Sequence, residues 1–171
     1  MGGAASGRIG SRYERELVNA FRDAGWGALR LPASGGATER ELPDVLAGRS
    51  TGSGSIESYV DGNPWDSVPL TEAWAIEAKA GKATTLYVDA EEVEALRTFA
   101  EIWGARPLLG ARSTRQGTPT AHYLVPPERA RVTDSGTYGL PIDGIEDRAY
   151  AVVGSDGVSV IASKSGGSNG E

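Results

Sequence analysis

The run Trp74-Ala75-Ile76-Glu77-Ala78-Lys79-Ala80 constrains the fold more than any other stretch, because it reads in steps of two. In a strand, successive side chains leave on opposite faces, so Trp74, Ile76, Ala78 and Ala80 point one way and Ala75, Glu77 and Lys79 the other. One face belongs to a core, and the other sets an acid beside a base. Two segments of helical spacing lie on either side of this strand. Tyr13, Leu17, Val18, Phe21 and Ala24 recur in steps of mostly three and four over 11–24, with Gly25 as the stop. Val93, Leu96, Phe99, Ala100 and Trp103 do the same after Asp89, with Glu92 at the capping-box position and Gly104 beyond the end. Short strands are expected at 28–31, 45–47, 85–88, 107–111 and 121–125, and a late hairpin around Gly154-Ser155-Asp156-Gly157. The order helix, strands, helix, strands predicts an α/β chain with a mixed sheet and helices packed against it.

Composition removes whole classes of chemistry. The 171 residues suffice for one domain with its own core, and they contain no cysteine. Disulfides, thiolate nucleophiles and cysteine-based metal sites are excluded. A single histidine, His122, leaves a Ser-His-Asp arrangement open but not a histidine-rich metal site. The beginning of the chain has no apolar leader-like run and no stretch is apolar enough to span a membrane, so a soluble, cytosolic protein is expected. With 17 Lys and Arg against 23 Asp and Glu the net charge is −6, which taken alone argues against a phosphate-rich partner. The acids are unevenly placed, however. Residues 1–50 carry 7 Arg against 6 acids, a local excess of one positive charge.

The chemistry-bearing residues are carboxylates and one lysine. Pro43-Asp44 opens the strand Val45-Leu46-Ala47, which sets a carboxylate at a strand end. If that strand neighbours 74–80, then Asp44, Glu77 and Lys79 converge. Two carboxylates form a suitable partial shell for Mg²⁺, which favours hard oxygen ligands and keeps several waters. A cation there would orient a phosphodiester and activate an attacking water, with Lys79 positioning that water, deprotonating it or offsetting charge on phosphorus. The bland reading remains open: a solvated ion pair at Glu77 and Lys79, and a turn residue at Asp44. Glu14 is a third candidate, at the edge of the first helix's apolar stripe, although Ser11-x-x-Glu14 also fits a capping box. Arg8, Arg12 and Arg15 beside it suit phosphate contacts or simple solvation of the helix.

Five separated segments then agree with a known family. They are Gly10-Ser11-Arg12-Tyr13-Glu14-Arg15-Glu16-Leu17, Arg30 to Gly35, Pro43 to Gly48, Ile76 to Lys79, and Leu86-Tyr87-Val88 with the helix ending Phe99 to Gly104. In this order, from about residue 8 to 125, the chain resembles the archaeal Holliday junction resolvases of the restriction-endonuclease-like superfamily. The resemblance implies a central mixed sheet flanked by helices, a homodimer, dependence on Mg²⁺ or Mn²⁺, and symmetric nicking of four-way DNA junctions in recombination and repair. It carries Glu14, Asp44 and Glu77 onto the acidic, metal-holding positions and Lys79 onto the catalytic lysine. It carries Arg15 and Arg30 onto basic residues near DNA, Ser34 onto the loop beside the active site, and Phe99 and Trp103 onto an aromatic pair at the dimer interface. Core packing is the other reading of that pair. Arg8, Arg12 and Lys82 belong to the segments expected to face the junction.

Two departures accompany the likeness. The stretch 49–72, rich in Ser, Gly and Pro, lengthens the gap between Asp44 and Glu77 and is expected as an exposed insert with a hairpin turn at Asp61-Gly62-Asn63-Pro64. The chain also continues past the usual end. A nuclease domain over 8–130, an extension over 131–162 without an assigned role and a disordered tail over 163–171 are expected. Two further functions stay open: a relative that cuts other branched or damaged DNA, and a junction-binding protein without catalysis.

Overall fold

The computed structural model describes residues 3–31, 42–50 and 71–161, with the backbone alone at 3–10 and 71. Ser34, most of the expected insert and the expected tail lie outside the described residues.

The first helix, α1 (Gly3–Asp23), starts two turns earlier than its apolar stripe does. Periodicity reveals a helix only where it has a face to bury, and among the residues with described side chains the buried contacts of this helix begin at Leu17. The early start overturns the capping-box reading of Ser11 and Glu14, since both lie in the helix interior. Their side chains turn to Arg30 instead, which donates from Nη2 to Ser11 Oγ at 3.0 Å and pairs through Nε with Glu14.

Ten strands follow in the order β1 (Gly27–Arg30), β2 (Val45–Ser50), β3 (Thr71–Gly81), β4 (Thr85–Val88), β5 (Arg106–Ser113), β6 (Ala121–Val125), β7 (Arg131–Val132), β8 (Tyr138–Pro141), β9 (Ala151–Gly154) and β10 (Gly157–Val160). Helix α2 (Ala90–Trp103) separates β4 from β5. Seven strands form one sheet in the order β1-β2-β3-β5-β6-β9-β10, and β4-β8-β7 form a second. Only β3 and β5 run parallel in the large sheet, because β4 and α2 supply the crossover a parallel pair needs. The sheet is therefore mixed and flanked by helices, as expected.

Helix α1 covers one face of the large sheet. Leu17, Val18 and Phe21 pack there on Trp26, Val45, Trp74, Ile76, Leu108 and Leu124. Phe21, Trp26, Trp74 and Tyr150 make an aromatic cluster, with the rings of Trp26 and Trp74 4.4 Å apart. Helix α2 and the small sheet cover the opposite face, where Ala75, Leu109 and Val125 meet Val93, Leu96, Ala100 and Leu140. The simple division of β3 into a core face and a polar face is thus corrected. Ala75 is as buried as Trp74, and the second face turns polar only from Glu77 onward, where it passes the start of α2.

The stretch expected as an extension supplies four strands. β7 and β8 build the small sheet against β4, and β9 and β10 form one edge of the large sheet. Among the described residues, no helix is long and apolar enough to cross a membrane.

Candidate active site

β2 pairs with β3 antiparallel, with Val45 opposite Ile76. One residue earlier in β2's approach, Asp44 arrives at the level of Glu77, so the neighbouring-strand condition that the sequence left open is met. The backbone N–H of Ala78 donates to Asp44 Oδ2 at 2.8 Å and fixes that carboxylate against β3. Lys79, two residues beyond Glu77 on the same face, donates from Nζ to Glu77 Oε1 at 3.1 Å.

These charges are poorly solvated. Glu77 is only 9% exposed. Burial, and then the facing charge of Asp44, push its carboxyl up to about 8 against the counter-pull of Lys79. Asp44 is also raised, first by burial and then by Glu14, even though the Ala78 N–H and Lys79 work against that. Burial would lower Lys79, but Glu77 and Glu92 together hold it above the ordinary lysine value. Asp44 raises Glu77, and Glu14 raises Asp44, so acidic groups crowd this end of the sheet. A divalent cation bound by oxygen would offset that crowding, so the donor set fits such an ion.

Glu14 lies within electrostatic reach of Asp44 but is paired with Arg30. Among the described residues, no group of three acidic or histidine side chains is close enough to enclose a metal ion in this conformation. In this conformation the residues that would hold such an ion are Asp44 and Glu77.

The cations expected near DNA have different surroundings. Arg15 is exposed on α1, and Lys82 is exposed in the turn after β3. Arg12 is exposed but bonds Glu16 at 2.8 Å across one helical turn. Arg30 joins the end of β1 to α1 through Glu14 and Ser11. Arg8 lies on α1, where only the backbone is described. Phe99 is partly buried against the second core, whereas Trp103 is 60% exposed, and the two rings stack 5.5 Å apart.

Three further residues near this end of the sheet have surroundings that the sequence did not announce. Glu92 was assigned only a capping role, and it also accepts from Lys79 Nζ at 2.8 Å. Its position opposite β3 has no local signal in the chain. Arg112 on β5 pairs with Glu16 and lies over the Tyr13 ring at 4.7 Å. His122 on β6 is buried, and its imidazole is lowered to about 4 by burial and then by Arg112. Among the described residues its Nε2 has no hydrogen-bond partner, so the Ser-His-Asp arrangement is not formed.

The profile of the archaeal Holliday junction resolvase (Hjc) family matches residues 5–61 and 68–153. The chain is 28% identical over 138 residues to the crossover junction endodeoxyribonuclease Hjc of Sulfurisphaera tokodaii, covering 80% of this chain and 78% of that one. It is 32% identical to the enzyme of the same name from Archaeoglobus fulgidus, over 63% of each chain. The solved structure of the Archaeoglobus fulgidus Hjc, a Holliday junction resolvase, superposes with a TM-score of 0.58 at 26% identity, covering 80% of this chain and 92% of that one.

Proposed function

Because the chain belongs to the archaeal Holliday junction resolvase family, and is therefore a junction-resolving endonuclease with a divalent-metal requirement, we propose that Asp44, Glu77 and Glu14 hold the cation and that Lys79 acts on the scissile phosphate. The observation that carries this reading is the β2–β3 register, which brings Asp44 to Glu77 with Lys79 beside them. Mg²⁺ is the natural ion for an all-oxygen set of two or three carboxylates, and Mn²⁺ substitutes for it. When bound, the ion supplies Lewis-acid polarisation of the phosphodiester and activation of the attacking water.

The side chains divide the remaining work. The Ala78 N–H orients Asp44, and Glu77 in its ionised form would contribute the second carboxylate. Glu14, now paired with Arg30, would be the third carboxylate of the set, and Arg30 would then be free to meet a DNA phosphate. Lys79 lies between two carboxylates and keeps its charge, so its part is to donate hydrogen bonds to phosphate oxygens and offset the charge that develops on them.

Arg8, Arg12, Arg15, Arg30 and Lys82, with the loop of Ser34, form the junction-facing surface, and the chain's negative sum does not prevent a local basic groove. A homodimer is supported by exposed Ile102 and Trp103 at the end of α2, since two apolar side chains 68% and 60% exposed on one turn are poorly suited to water. Such a dimer offers two sites to the two strands of a symmetric junction. The cytosol is the place of action consistent with a chain free of cysteine.

The test is Asp44→Asn. Cleavage of a labelled four-way junction in Mg²⁺ falls by at least about 100-fold while junction affinity is kept, because only the charge that holds the cation is removed. Undiminished cleavage by this variant contradicts the assignment.

A further inference from the structure

Glu92 occupies two roles with its two oxygens. As the third residue of α2 it accepts the Asp89 backbone N–H at Oε2, 3.0 Å away, which is its half of the capping box. Its Oε1 accepts from Lys79 Nζ at 2.8 Å, closer than the 3.1 Å contact of the same ammonium with Glu77. A helix cap needs only one oxygen, and Gln serves there as well as Glu. The charged second oxygen is therefore surplus to the helix and is turned on the lysine of β3. Glu77 engages the ammonium from along the strand and Glu92 from the start of the helix packed on that face, so the two carboxylates hold it from two elements.

We infer that Glu92 is a positioning residue: it fixes the Lys79 ammonium from the start of α2 and so sets where that charge meets the substrate phosphate. The inference rests on the catalytic reading of Lys79. Were Glu77 engaged as a metal ligand, Glu92 would remain as the partner that holds Lys79 in place. A flexible four-carbon stem without that partner spreads the ammonium over several rotamers, and a misplaced group at a reacting centre loses rate rather than binding.

The experiment compares Glu92→Gln, Asp89→Ala, Lys79→Ala and the double variant Glu92→Gln/Lys79→Ala in the full-length protein. Single-turnover cleavage of a four-way junction in Mg²⁺, junction affinity and Tm are measured for each. Glu92→Gln keeps an acceptor for the Asp89 N–H, so its Tm and junction affinity stay near the parent's while cleavage falls about 10- to 100-fold, the range for partners that orient an active-site group. Asp89→Ala loses the opposite half of the box: its Tm falls and cleavage by the folded enzyme is retained. The double variant is no slower than Lys79→Ala, because Glu92 acts through that lysine. Parent-like cleavage by Glu92→Gln, equal cleavage losses in Glu92→Gln and Asp89→Ala, or a double variant slower than Lys79→Ala by the full Glu92→Gln factor would each overturn the inference. Parent-like cleavage by Lys79→Ala would instead remove the catalytic reading of the lysine on which it rests.

Discussion

Glu77 carries the sharpest consequence at the scale of single residues. Its carboxyl holds a proton up to about 8 in the native protein but releases it near the ordinary value of 4.5 when unfolded. Between those limits the native state binds more protons, so the stability this group contributes is present at low pH and lost as pH rises toward 8. In EDTA, Tm of the parent should fall more steeply from about pH 5 to 8 than Tm of Glu77→Gln, and a divalent cation should raise the parent's Tm more at pH 8 than at pH 5. A parent and variant with parallel pH profiles, and no pH-dependent gain from metal, would contradict the paired-carboxylate site. The identity of this residue was legible in the sequence because Glu77 and Lys79 share a strand face. Its burial was not, since burial depends on α2 and the small sheet closing over that face. Glu92 was half legible for the same reason. A capping box is local and visible in the chain, while a contact with β3 thirteen residues back is set by how the helix docks.

At the scale of elements, α2 repeats its sequence pattern almost residue for residue. Asp89, Glu92 and Gly104 frame it as expected, and Val93, Leu96 and Ala100 are its buried side chains. Gly104 closes it in the left-handed region at φ 63°, with its N–H bonded to the carbonyls of Ala100 and Glu101. An added Cβ there meets nothing within 4 Å, so Gly104→Ala costs backbone strain alone. About 1 kcal/mol is expected, seen as a fall in Tm of roughly 2–4 °C with junction cleavage intact. A variant as stable as the parent would show that the cap does not hold the helix end. Helix α1 behaves differently, because its first turns, rich in Gly, Ala and Ser, show no apolar stripe in the sequence. The two-residue strand β7 and the short β8 were illegible for a related cause: each is too brief to show alternation, and each exists through pairing, β8 with β4 and β7 with β8.

For the whole molecule, the part of the chain with the weakest local signal turns out to be structural. β9 pairs with β6 through Leu124 and Ala151, and Ala151 and Val153 belong to the same core as Trp74. Removing residues 131–171 strips two strands from the large sheet and two from the small one, exposing Leu86, Val88 and Leu124. A chain ending at residue 130 is expected to lack the cooperative thermal transition of the parent, and a two-state melt near the parent's Tm would contradict this. The charge distribution also belongs to this scale, since a sum of −6 says little about the local balance of charge on α1, β1 and the turn after β3. The central claim is that these parts make a metal-dependent, junction-selective nuclease, and one measurement tests it most directly. A four-way junction labelled on each strand in turn and a linear duplex of the same sequence are incubated with the protein in Mg²⁺ or in EDTA. Paired nicks at symmetric positions of the junction, in Mg²⁺ only and with the linear duplex uncut, are the expected result; equal cutting of the linear duplex, or cutting in EDTA, would contradict the account.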